Sequence, residues 1–252
     1  MVFVCKIFVS LCHKYLLNTM ALILNIETSG SVCSVALTAD GCVLSHYEDF
    51  TGMRHAEVLS GFISRCMDFA RERGIRPDAV AVSLGPGSYT GLRIGLSEAK
   101  GLAYALDVPL IGVNTLELLT TAVLFSGDVV DEDAIFIPMV DARRMEVYTG
   151  AYDIALQPLM DPCALILDGD SYATLMSTGR PIVIFGSGAA KAYNLLHDAN
   201  PRVRMVEGIN ALAVDMMALS ERSWSRGEFL DLAYSVPLYL KDFQATTPKS
   251  RI

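Results

Sequence analysis

The sequence predicts an α/β fold of two lobes, each a mixed sheet flanked by helices. Runs of alternating or continuously apolar residues, separated by glycine-containing turns, mark strands, and longer stretches with apolar residues three and four apart mark helices. The order of hairpin strands, helix, strand and helix then occurs twice along the 252 residues. The expected division is a first lobe over 20–115, a second over 116–240 and a tail at 241–252, with the helix at 211–226 a candidate to pack back on the first lobe. No low-complexity linker and no short repeat interrupts the pattern.

The first lobe opens with ALILNIE, a TSGS turn and VCSVALTADGCVLSHYED, in which Asp40-Gly41 between apolar runs is a hairpin signal. Three antiparallel strands follow from that reading. Over 54–73, Val58, Leu59, Phe62, Ile63, Cys66, Met67 and Ala70 keep helical spacing, and Gly74 stands where a helix stops. A buried strand, AVAVSL, leads through Gly85, Pro86, Gly87 and Ser88 into a helix to about 106, followed by the strand VPLIGV and the helical LELLTTAVLF. The second lobe has the strand pair AIFIPMVDARRMEVYTGAYD, the strand, glycine turn and helix of RPIVIFGSGAAKAYNLL, and a helix in INALAVDMMALSERSWSRG.

A hydrophobic share of 52% with 19% charged residues provides for a substantial core. The net charge of −8 argues against a free-standing nucleic-acid binder, which needs a basic footprint. Six cysteines without a CxxC pair read as reduced thiols of a cytoplasmic protein. Residues 1–19 are apolar but are interrupted by Lys6, His13 and Lys14, too short to span a bilayer, and followed by no small-residue cleavage site. They are read as an N-terminal extension or a mis-assigned start, with translation expected from Met20.

The loop and helix at 85–106 carry the sharpest local signal. Glycine-rich backbone at a helix N-terminus suits a phosphate, but GxxxxGK[ST] is absent and no lysine follows. Within the helix, Gly91, Gly95, Ala99 and Ala103 recur every four residues and form one seam of small side chains. Two glycines inside a helix cost about 1 kcal/mol each relative to alanine, and close approach of another backbone is the usual reason for them. That backbone belongs either to the same chain or to another molecule.

The segments ILNIETSGSVCSVAL, RHAEVLSGFI, LGPGSYTGLRIGLSEAKGLAYALDVPLIGVNTLE, VDARRMEVY and PLYLK, in this order, resemble the TsaB (YeaZ) family of bacterial tRNA threonylcarbamoyladenosine biosynthesis. The resemblance spans most of 20–241, is densest at 81–117 and is weakest over 150–210. It implies an actin/hexokinase-like (ASKHA) fold of two lobes. It also implies a catalytic TsaD partner and the ATPase TsaE, with pairing through helices of the first lobe. On that reading the seam faces a neighbour, and the expected interface is Gly91, Leu92, Gly95, Leu96, Ala99, Leu102 and Ala103 with His55, Leu59 and Phe62. The same surface self-pairs as a homodimer when no partner is present, and tRNA is met only through the complex.

Relatives of this fold that use ATP hold its phosphates with one hairpin in each lobe. The first here contains Glu27 and Ser29, with Gly87 and Ser88 in the following glycine loop; the second contains Asp141 and Arg143, and the GSG turn supplies Gly186 and Gly188. Each has an ordinary alternative role as a turn, cap or ion-pair residue, and Ser88 and Ser187 are read as turn or capping residues. Asp141-Ala142-Arg143-Arg144 lacks the glycines that bring backbone close to phosphate. No histidine pair has ligand spacing: His55 has Thr51 and Leu59 four residues away on either side. Neither a bound metal, nor HExxH peptidase chemistry, nor a GxSxG nucleophile is therefore expected. The leading expectation is a non-catalytic subunit with no tightly bound cofactor, any nucleotide lying at the interface with TsaD. The alternatives are an ATP-dependent transferase or kinase of the same fold and, remotely, a glycoprotease-like peptidase.

Overall fold

A computed structural model describes residues 21–52, 54–127 and 131–241. The extension at 1–19 and the tail beyond Lys241 lie outside the described residues. Two five-stranded mixed sheets share one topology. The first runs β3 (Cys42–Asp49), β2 (Cys33–Ala39), β1 (Ile23–Glu27), β4 (Ala79–Gly85), β5 (Leu110–Asn114). The second runs β8 (Pro158–Ile166), β7 (Glu146–Tyr152), β6 (Ile135–Asp141), β9 (Ile182–Phe185), β10 (Val203–Val206). In each, the first three strands in chain order pair antiparallel and the last two join parallel. The doubled order in the sequence is thus a duplicated sheet, as in the two-lobed actin/hexokinase-like fold.

Helices stack these sheets into layers. Outside the first sheet lie α1 (His55–Glu72) and α2 (Tyr89–Leu106), and α3 (Thr115–Ser126) leads to the second sheet. Against the second sheet are the short α4 (Ala173–Met176) and α5 (Ala189–Ala199), and a 3-10 turn at Ala213–Met216 runs into α6 (Met217–Arg226). The strands alternate between layers. Val80 and Val82 of β4 face the α1–α2 core, whereas Ala79 and Ala81 face the central core shared by the sheets, α3 and α6. In β6, Ile135, Ile137 and Met139 face the outer core of the second lobe and Phe136 the central one. A strand buried on both faces reads as a continuous apolar run, which is why these were legible as strands.

Local chemistry sets the helix ends. Gly74, at φ +65°, closes α1 in a Schellman arrangement, with Ile75 N–H donating to the Ala70 carbonyl at 3.1 Å and Gly74 N–H to that of Arg71 at 3.1 Å. Ser88 caps α2, its Oγ accepting from Gly91 N–H at 3.2 Å.

α6 lies against β1 and β5 of the first sheet, and Arg222 pairs with Glu117 of α3 at 2.5 Å. Beyond it, residues 227–241 form an extended strap. Leu230 N–H donates to the Leu110 carbonyl and Leu238 N–H to that of Leu84, both at 2.8 Å, and Lys241 pairs with Glu146 of the second sheet at 2.5 Å.

The structure departs from the expected elements in the second lobe. Residues 209–212 are not helical, and β8, α4 and β10 have no counterpart in the reading. β8 carries two prolines and lies half-buried to exposed at a sheet edge, and β10 has four residues. The prolines and the lack of alternation hide β8 from sequence patterning, and β10 is too short for it. Among the described residues Cys33, Cys66 and Cys163 are free thiols, and no helix is long and apolar enough to cross a membrane.

Candidate functional site

The small-residue seam of α2 is turned toward its own chain. Gly91, Leu92, Gly95, Leu96, Ala99 and Ala103 are all buried. A Cβ at Gly91 would lie 2.2 Å from the Thr28 carbonyl oxygen, and one at Gly95 would lie 2.1 Å from Thr28 Oγ1. The glycines let the helix settle directly on the turn between β1 and β2. This corrects the expectation that the seam receives a neighbouring subunit: the close backbone that the glycines admit is residue 28 of the same chain. Leu59 is likewise in the α1–α2 core. His55 is buried at the start of α1 beside the Gly30–Val32 backbone, where burial lowers its pKa against the opposing pull of that backbone and of Asp49.

Of the ten expected interface residues, only Phe62 and Leu102 keep appreciable exposure, and Phe62 stacks on Tyr47 with ring centroids 5.9 Å apart. Beside them runs an open groove of about 410 Å³ between the two helices, lined by Ile63, Ser97, Glu98, Gly101, Leu102 and Ala105. Ser97, Gly101 and Ala105 form a second row of small residues, four apart, on the outward side of α2. Sequence reasoning missed this row, although the same spacing that revealed the inner seam also marks it. Among the described residues, no atom outside its own stretch of helix lies within 4 Å of where a Cβ at Gly101 would stand.

The structure joins the first hairpin and the glycine loop. Ser88 N–H donates to the Ser29 carbonyl at 2.7 Å, and a Cβ at Gly87 would lie 2.3 Å from that oxygen. Glu27, Ser29, Gly87 and Ser88 therefore form one compact unit. Glu27 is wholly buried, and its Oε1 accepts from Ser29 N–H at 2.5 Å. Burial pushes this carboxyl up to about 7 against the opposing pull of hydrogen bonds from Ser29, Ser83 and Gly30.

The second hairpin is held by a residue the sequence did not flag. Lys191 of α5 pairs with Asp141 Oδ1 at 2.5 Å and donates to the carbonyls of Arg144, at 2.8 Å, and Glu146. Burial raises the Asp141 carboxyl, but Lys191 and the Arg143 N–H outweigh it and leave it below the usual carboxylate value. Arg143, at φ +67°, turns the chain, with its N–H donating to Asp141 Oδ1 at 2.8 Å. Ser187 Oγ accepts from Asp141 N–H at 3.1 Å. Gly186 and Gly188 serve close packing: Cβ atoms there would stand 2.6 Å from the Met139 carbonyl and 2.8 Å from Val147 Cγ1. Among the described residues, no three histidine, cysteine or acidic side chains are placed to hold a metal ion.

Comparison with known proteins follows the same lines. The family described as TsaD, tRNA N6-adenosine threonylcarbamoyltransferase, matches residues 49–181, just over half of the chain. The tRNA threonylcarbamoyladenosine biosynthesis protein TsaB of Bacillus subtilis (strain 168) is 29% identical over 189 residues, covering 74% of this chain and 76% of that protein. TsaB of Escherichia coli (strain K12) is 26% identical over 223 residues, covering 87% and 94%. The solved structure of YeaZ from Pseudomonas aeruginosa superposes with a TM-score of 0.67 at 25% identity, covering 87% of this chain and 100% of that one.

Proposed function

The chain belongs to the family described as TsaD, tRNA N6-adenosine threonylcarbamoyltransferase, and within it to the TsaB/YeaZ group, and from that premise we propose that it is a non-catalytic partner subunit in tRNA threonylcarbamoyladenosine synthesis. It docks on a TsaD-like catalytic protein through the outward face of α1 and α2 and works with a TsaE-like ATPase in the cytoplasm. Its contribution is interfacial: it holds the catalytic subunit in a productive state, and the complex rather than this chain alone meets tRNA. Any nucleotide lies at the junction of the two subunits. Without the catalytic protein the same face self-pairs as a homodimer.

The observation that supports this reading best is the groove between the helices. Ser97, Gly101 and Ala105 are exposed and leave the backbone of α2 approachable, the half-buried Leu102 supplies apolar surface, and Ile63 forms the floor beneath them. The hairpins are consistent with this reading: the 85–88 loop hydrogen-bonds to the first, and Lys191 donates to the second. Reconstitution tests the proposal. The purified chain is expected to modify no tRNA alone and to raise the rate of a TsaD-like enzyme when mixed with it and TsaE. Turnover by the chain alone with MgATP would instead support the transferase or kinase reading.

A further inference from the structure

At the carboxyl ends of β4 and β5, away from the docking groove, lies a cavity of about 270 Å³. The carboxyl ends of parallel strands are where open α/β sheets leave room for ligands, and this volume falls just below the range of about 300–1,000 Å³ typical of drug-sized ligands. The walls come from β4, β5, α3 and α6, and the strap contributes Glu228 and Leu238. Leu84, Val113, Leu219 and Leu238 make much of the lining apolar.

Its polar groups are of two kinds. Arg222 Nη2 donates to Glu117 Oε2, but its Nε–H is buried without an acceptor among the described residues. A buried donor left unpaired is costly, so an acceptor from a bound molecule suits that position. Asn114 spends its carboxamide oxygen on Leu116 N–H at 2.8 Å, which leaves its NH2 group to donate. Glu228 supplies the opposite chemistry: its carboxylate has a long contact from the Ser223 hydroxyl at 3.4 Å and from Arg226 at 3.7 Å. A simple anion would face two carboxylates, Glu117 and Glu228, and a simple cation would face the Arg222 guanidinium.

We propose that this cavity binds a small zwitterion, an α-amino acid with an aliphatic side chain. The ligand carboxylate meets Arg222 Nε–H and the Asn114 NH2, the ammonium meets Glu228, and the side chain lies against the leucine and valine walls. The site is independent of the α1–α2 docking face.

The test uses the full chain with three probes: L-leucine; 4-methylpentanoate, which lacks the ammonium; and isoamylamine, which lacks the carboxylate. Ligand that binds only the folded state raises the melting temperature by mass action, so about 10 mM of each probe is compared by thermal melting and saturation-transfer NMR. Leucine is expected to bind, with each half-ligand weaker by about tenfold or more. Glu228→Gln, a change on the exposed strap, should weaken leucine by a similar factor while 4-methylpentanoate binds no more weakly than before. Leu238→Trp, which enlarges a side chain of the lining, should abolish the leucine signal. Absence of leucine binding, equal binding of the three probes, or unchanged leucine binding in both variants would overturn the assignment.

Discussion

Thr28 and Glu27 show how much rests on single residues at the end of β1. Thr28 fits beneath α2 only because positions 91 and 95 lack side chains. Gly95→Ala would set a methyl group 2.1 Å from Thr28 Oγ1, and the expected cost is about 1–3 kcal/mol, more than the roughly 1 kcal/mol that alanine gains in helix propensity. Gly91→Ala should cost more, because it meets a backbone carbonyl that cannot rotate away. Urea unfolding of the two variants measures both. Glu27 gives a pH signature. Its folded pKa of about 7 lies above the ordinary value of 4.5, so its favourable contribution is complete below pH 4.5 and is lost as pH rises through 7. The loss amounts to about 3 kcal/mol. Glu27→Gln removes that dependence while keeping an acceptor for Ser29 N–H. The variant should therefore melt above the wild type at pH 8, with the advantage vanishing toward pH 4.5; a constant offset across that range would contradict the assignment.

At the scale of elements, legibility followed the reach of the signal. The Asp40-Gly41 turn, the stop at Gly74 and the doubly buried β4 were readable because each is fixed by residues within one turn or one strand. The α2 seam was readable as a pattern, but periodicity gives the face and not the neighbour, and the neighbour proved to be Thr28, more than sixty positions away in sequence. The outer row at Ser97, Gly101 and Ala105 carried the same signal and was obscured by the stronger glycine pair. Lys191 was invisible for a different reason. A lone lysine on a helix is ordinary, and only the fold brings α5 to the turn between β6 and β7. Lys191→Ala should remove the lysine's bonds to the Arg144 carbonyl and Asp141, while the Glu146 carbonyl keeps the Ala142 N–H, and cost about 1–2 kcal/mol. Thermal melting checks the magnitude, and increased amide exchange confined to 141–146 checks the location.

For the whole molecule, duplication explains the division of labour proposed above. Both sheets keep the topology of the two-lobed fold, yet each hairpin is closed by local contacts, and the strap ties the first lobe to Glu146 of the second. Such a molecule is suited to presenting a surface. Its net charge of −8 also bears on tRNA. The isolated chain should not retain tRNA in filter binding at about 150 mM salt, whereas the complex with a TsaD-like protein should. The most direct measurement is a calorimetric titration of a TsaD-like protein from the same organism with the wild-type chain and with Gly101→Leu. Among the described residues, a Cβ at 101 meets no atom within 4 Å outside its own stretch of helix, and leucine improves helix propensity, so the variant should melt no lower than the wild type while binding about tenfold or more weakly. Equal affinity of a folded Gly101→Leu variant would show that the partner does not dock on the outward face of α2.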